Sequence, residues 1–93
     1  MTPAAILATV AEEAGISVDD LLVHCRRPHL LHPRQLAMYL IRERCGMPWD
    51  KAGLEMDREQ STIWKGFRAA RKRLAGDPAY RDLYERVCER LAA

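Results

Sequence analysis

The side chains with chemistry to offer gather in one stretch, Met47 to Leu74. Its second half holds Arg58, Glu59, Gln60, Ser61, Thr62, Lys65, Arg68, Arg71, Lys72 and Arg73. These are donors, acceptors and cations with no nucleophile set beside a base, so they suit recognition of a polar anionic partner. Between them Ile63, Phe67, Ala70 and Leu74 recur at three- and four-residue steps, which predicts a helix buried along one side. Asp57 is placed to cap that helix, and Gln60, three residues on, to close a capping box. Ahead of it a short helix is predicted to start at Pro48, with Trp49, Ala52 and Gly53 on one side and a turn through Met56 and Asp57. A short helix, a turn and a longer helix bearing hydrogen-bonding and basic groups is the outline of a DNA-reading helix-turn-helix.

A second group lies upstream. His24 to His32, with Pro33 behind it, contains no acid and no periodicity, and it includes the adjacent Arg26 and Arg27. It reads as a basic loop whose arginines fit phosphate or minor-groove contact, with an ordinary surface connection as the plain alternative. His24, Cys25, His29 and His32 raise the question of a metal. One Cys among crowded neighbours does not match the paired spacing of zinc sites, so these read as surface residues and no metal or other cofactor is expected. No glycine-rich loop of Walker type is present, and nothing sets up a Ser–His–Asp or Cys–His pair, so no enzymatic activity is expected.

The elements that must hold these groups are helices. The 93 residues suffice for one domain, 1–93, with a single small core. Thr2-Pro3 opens a first helix with Ile6, Val10 and Ala14 inward and Gly15 as its stop. Ser17 caps a short second helix, with Asp20 completing the box and Ile16 and Leu21 placed as a hydrophobic staple. A third helix is predicted from Pro33 to Cys45, Leu36, Ala37, Leu40 and Ile41 forming its inner face and Arg34, Gln35, Arg42 and Arg44 its surface. Arg34 and Gln35 then fall in its first turn, where free backbone N–H groups attract phosphate. Gly76 closes the long helix, and Asp77-Pro78 starts a last one with Tyr80, Leu83, Tyr84, Val87 and Leu91 inward.

The net charge of +2 is unevenly spread. Residues 1–23 hold four acids and no Lys or Arg, residues 24–73 balance at +7, and residues 74–93 at −1. Cations concentrated in the middle of the chain point to a polyanion. Cys25, Cys45 and Cys88 are odd in number and widely spaced, which argues against a disulfide framework. No apolar run is long enough for a membrane span and no signal peptide is evident, so a cytoplasmic, nucleoid-associated location is expected.

With residues from Ile6 to Leu91 placed, the chain resembles the C-terminal DNA-binding domain of the bacterial replication initiator family DnaA. The likeness rests on Thr9-Val10-Ala11-Glu12, on Ile16-Ser17-Val18-Asp19-Asp20-Leu21-Leu22 and above all on Pro33-Arg34-Gln35-Leu36-Ala37-Met38-Tyr39-Leu40. Ala52-Gly53, Arg58 and Ser61-Thr62-Ile63 also fit. The resemblance implies an all-α bundle of about six helices containing a helix-turn-helix, of the Trp-repressor-like kind. It implies that Arg26, with Arg27 beside it, enters the minor groove and that Arg34 and Gln35 hold phosphates and nearby base edges. Arg42 matches a further basic residue, and Arg58, Glu59, Gln60, Ser61 and Thr62 correspond to the positions that read the major groove.

The departures from that family bear on specificity. Where its signature is Gly-Arg-Asp-His-Thr-Thr-Val, this chain has Asp57-Arg58-Glu59-Gln60-Ser61-Thr62-Ile63, and the turn before it reads one residue shorter. Glu keeps an acceptor suited to a cytosine amino group at longer reach, Gln pairs with adenine, and Ser lacks a methyl to set on thymine. Lys65 and Gly66 replace a usual His-Ala pair. The recognised sequence is therefore expected to have drifted. DnaA carries an ATPase module ahead of this domain, whereas Met1 here stands almost directly before the first helix. The expectation is a free-standing transcription regulator, or the reading head of a longer protein, working with the transcription machinery. An accessory or competitor at initiator sites is the alternative, and a protein-interaction module that has lost DNA binding is the third reading.

Overall fold

In the computed structural model, which describes residues 1–93, the longest helix lies at the centre and the other five are arranged around it. In chain order the helices are α1 (Pro3–Ala14), α2 (Val18–Leu22), α3 (Pro28–Cys45), α4 (Trp49–Met56), α5 (Gln60–Gly76) and α6 (Pro78–Ala92). The central helix α3 packs against α1, α2, α4 and α5, and α6 closes the far side against α1 and α5. The architecture is the expected all-α bundle with six helices, α4 and α5 forming the helix-turn-helix.

Local rules account for three of the starts. The Thr2 hydroxyl accepts from the Ala5 amide, Ser17 from Asp20, and the Asp77 carboxylate from Ala79 and Tyr80, so each helix opens on a side-chain cap. Gly15 and Gly46 end α1 and α3 at positive φ, 74° and 63°, where a β-carbon is penalised. The core joins Ile6, Val10 and Leu21 to Leu36, Leu40 and Ile41 of α3, and these to Met56, Ile63, Ala70 and Val87. The predicted stripe of α5 faces this core, with Ile63 and Ala70 fully buried and Phe67 and Leu74 half-buried. Phe67 stacks on Tyr39 at 4.9 Å and takes the edge of Trp49 at 5.4 Å.

Three boundaries differ from the expectation. Helix α3 begins at Pro28 and not at Pro33, so the basic loop shrinks to Val23–Arg27. Pro28 takes the first helical position, and the carbonyl of Arg27 accepts from Leu30 and Leu31 at 3.0 and 2.8 Å. Pro33 then sits inside the helix, where the carbonyl it cannot serve is that of His29, an exposed residue of the first turn open to solvent. Arg34 and Gln35 consequently lie in the second turn, away from the free amides of the helix start.

The second correction is at the front of α5. Asp57 does not cap it; Asp57 ends α4 in the left-handed region at φ 52°, and Glu59 is the N-cap residue without a side-chain bond. The Gly53 carbonyl accepts from the amides of both Asp57 and Arg58, so the chain is still finishing α4 at Arg58 and needs two more positions to turn. The third is small: Pro48 caps α4 and Trp49 is its first residue.

Candidate nucleic-acid interface

Three parts of the fold surround one cleft of about 880 Å³: the Val23–Arg27 loop, the middle of α3, and the α4–α5 turn with the first turns of α5. Arg26, Gln35, Arg58, Glu59, Thr62 and Lys65 line it, together with Met38, Gly53 and Gly66. The two glycines matter for its shape. A β-carbon at Gly53 would run into the Arg58 carbonyl oxygen, and one at Gly66 into the Met38 thioether, so α4 meets the turn backbone to backbone and the Met38 side chain lies against the backbone of α5.

Of the residues singled out in the sequence, Arg26, Arg27, Glu59, Gln60, Ser61, Thr62 and Lys65 are exposed, and none of their side chains is engaged in an intramolecular hydrogen bond or ion pair. Arg26, Glu59, Thr62 and Lys65 share the cleft, while Gln60 and Ser61 stand beside it in the first turn of α5. Gln35 is half-buried; its carbonyl oxygen accepts from Arg73 Nη1 at 2.9 Å, which leaves its amide nitrogen as a donor.

Three arginines are placed differently from expectation. Arg34 is not a surface residue: it is 3% exposed, its Nε donates to the Leu21 carbonyl at 2.7 Å and its Nη1 to the Cys25 carbonyl at 2.6 Å. Its Nη2 is buried without a partner. Burial, and then the nearby charge of Arg58, depress its pKa below the usual guanidinium value. Arg58 is half-buried in the turn and bonded to carbonyls on both sides of it, Met56 and Asp57 on one and Leu22 and Val23 on the other. Arg42 lies outside the cleft, donating to the Met47 carbonyl at 2.5 Å and covering the Trp49 ring at 4.5 Å.

Positive charge continues along α5 beyond the cleft. Arg68, Arg71 and Lys72 are exposed, and the Arg68 guanidinium lies 4.7 Å from the ring centre of Trp64, itself 43% exposed. The ion pairs between side chains of full charge sit elsewhere: Arg86 and Arg90 with Glu12 and Glu13 on α1 and α6, and Arg44 with Glu43. None of the cations around the cleft is held in an ion pair with a carboxylate, although Asp57 and Glu59 share its lining. No group of three or more His, Cys, Asp or Glu comes together as a metal cage, and no helix is long and apolar enough to cross a membrane. His24 instead faces the turn, its Nε2 3.6 Å from Asp57 and 3.2 Å from Arg58 Nη1.

Sequence reasoning missed the inward roles of Arg34 and Arg58 and the part played by His24. One signal was available: a second helix of a single turn or so leaves carbonyls at its end that need outside donors.

Comparison with known proteins matches this sequence to a family. The family model for the bacterial dnaA protein helix-turn-helix matches residues 3–69. The chromosomal replication initiator protein DnaA 2 of Protochlamydia amoebophila is 38% identical over 77 residues, covering 83% of this chain and 17% of that protein. DnaA of Symbiobacterium thermophilum is 33% identical over 94 residues, covering 100% of this chain and 20% of its own length. DnaA of Trichormus variabilis is 36% identical over 61 residues, 66% of this chain and 13% of that one. The chain thus spans a fifth or less of these relatives. Together, the six-helix fold, the α4–α5 pair and the matched span place the chain in the bacterial DnaA helix-turn-helix family.

Proposed function

We propose that the domain binds duplex DNA sequence-specifically, with the front of α5 in the major groove and the Val23–Arg27 loop, led by Arg26, in the adjacent minor groove. One observation carries this reading. The unpaired cations Arg26, Arg27, Lys65 and Arg68 stand around exposed and uncommitted polar side chains, Glu59, Gln60, Ser61 and Thr62. Phosphate attraction supplies affinity and register, and base edges supply selectivity, so a recognition surface needs both sets side by side. Glu59 accepts from cytosine, Gln60 pairs with adenine, and Ser61 and Thr62 serve either. Arg26 and Arg27, on a loop free of acids, suit the negative potential of a narrow minor groove.

The working role is transcription control at sites other than the initiator's own, carried out at the nucleoid in the cytoplasm and by binding alone, without catalysis or cofactor. The altered pair Glu59 and Gln60 favours such a shift in site. A second reading, an accessory or competitor at initiator-type sites, draws on the family match and on the relatives named as chromosomal replication initiators. Selection from a pool of random duplexes tests the binding claim, with enrichment of one motif as the expected result. Failure to enrich any motif would refute it. Mapping bound sites in the native host separates the roles: promoters for the first, the replication origin for the second.

A further inference from the structure

We infer that Arg58 does not read a base but positions the minor-groove loop, and that with Arg34 it forms a clamp uniting that loop and the reading helix into one recognition surface. The clamp rests on the geometry; its consequence for DNA rests on the function proposed above.

The need for it begins with α2. Like any helix, α2 leaves its last carbonyls without partners of its own, and Val23 leaves the helix at ψ 147° after its amide bonds Asp19. The carbonyls of Leu21 and Leu22 must find donors elsewhere, and that of Val23 has only the Cys25 amide within the loop. Arg34, from α3, supplies Leu21 at 2.7 Å and then Cys25 at 2.6 Å. Arg58, from the α4–α5 turn, supplies Leu22 and Val23, both at 3.0 Å through Nη2. Its Nη1 meanwhile holds Met56 at 3.0 Å and Asp57 at 3.1 Å, and lies 3.2 Å from His24 Nε2. Two cations at the negative end of a short helix are also favoured by its dipole.

Arg58 therefore spans two parts of the interface with one planar group. On one side is the turn that aims α5; on the other is the backbone immediately before Arg26. Both terminal nitrogens of Arg58 are taken, and they are the nitrogens a guanine contact would require. Swinging the side chain toward a base would strip Leu22 of its donor and leave Val23 with the Cys25 amide alone. The loop's remaining internal tie is a single bond from the Cys25 amide to the Val23 carbonyl, so the pose of Arg26 depends on the clamp.

The test has two arms, both on the intact chain. Without DNA, NMR amide exchange is measured at Val23 and Cys25, the two hydrogen-bonded amides of the loop, in wild type, Arg58→Ala and Arg58→Lys. Arg58→Ala should speed exchange there by about tenfold or more while α1, α3 and α6 stay protected. Lysine keeps the charge but not the planar fork, so Arg58→Lys should behave like alanine. Should Arg58→Ala not fold, Arg58→Lys carries the same comparison. With a selected duplex, a double-mutant cycle then compares Arg26→Ala alone and combined with Arg58→Lys. The loss caused by Arg26→Ala should shrink by at least about threefold in the combined protein. A loop that stays ordered in both variants, rescue by lysine, additive losses, or a changed preference confined to one base pair would overturn the inference. Wild type that ignores duplex DNA would defeat the proposed function, and loop exchange would still decide whether the clamp exists.

Discussion

The amide of Arg58 donates to the carbonyl of Gly53 at 2.9 Å, and the carbonyl of Arg58 stands where a β-carbon on residue 53 would sit. That closeness sets the angle at which α4 leads into α5. Gly53→Ala should therefore cost about 1–3 kcal/mol of stability, since a backbone atom cannot yield as a side chain does. Gly66→Ala is the instructive contrast, because its obstacle is the flexible end of Met38. It should cost less, about 1 kcal/mol, once the thioether shifts. Urea denaturation of both variants measures the difference, and equal losses would show that the turn is not the tighter spot.

Asp57 occupies a left-handed position, φ 52°, the one non-glycine residue of the chain to do so. Asp tolerates that region better than most residues, because its short polar side chain can pair with nearby backbone. Asp57→Gly should leave stability equal or slightly higher, while Asp57→Val should lower it by about 1–2 kcal/mol. Thermal melts of the two variants check the order; a neutral valine would contradict a strained turn.

The helix caps were legible because each is a contact within three residues. Thr2, Ser17 and Asp77 bond amides two or three positions on, and no knowledge of the fold is needed to see it. The exposure of Glu59 to Thr62 and Lys65, and of the loop pair Arg26 and Arg27, was legible for a related reason: polar residues away from the apolar stripe have only solvent to face. What stayed hidden depends on distant partners. Pro33 obeys the local rule for a helix start, yet Pro28 already fills that role and burial of Leu30 and Pro33 carries the helix through it. Asp57 obeys the rule for a cap, but the closure of α4 on Gly53 claims it first. Arg34 and Arg58 look like surface cations, and their acceptors lie 13 and 36 residues away in sequence.

His32 makes stability depend on pH. Burial, and then the charge of Arg73, hold its pKa below the ordinary 6.5, and Asp77 offsets this only in part. The folded state thus binds the proton less readily than the unfolded chain. Its contribution is complete above about pH 6.5 and is lost as pH falls from there through the lower folded value. Melts between pH 7.5 and 5 should show a decline that His32→Gln reduces. An identical slope in the variant would remove His32 from the account.

Gln60 and Lys65 should separate specificity from affinity. On the proposed reading Gln60 pairs with a base, so Gln60→Ala should cost about 1–3 kcal/mol of discrimination at one or two base pairs, with non-specific binding nearly intact. Lys65→Ala should weaken all sequences alike and flatten the salt slope by about one unit. Selection from random duplexes with both variants distinguishes them. If both changes alter the same base preference, Lys65 is a reader as well.

The most direct measurement is fluorescence anisotropy of the chain against its selected duplex and a scrambled duplex of equal length, over a series of salt concentrations. With roughly five phosphates contacted, log affinity should fall against log salt with a slope of about −4 to −5. At physiological salt the selected site should hold an advantage of about a thousandfold or more. Affinity that is flat in salt and equal for the two duplexes would contradict the claim that this surface reads DNA.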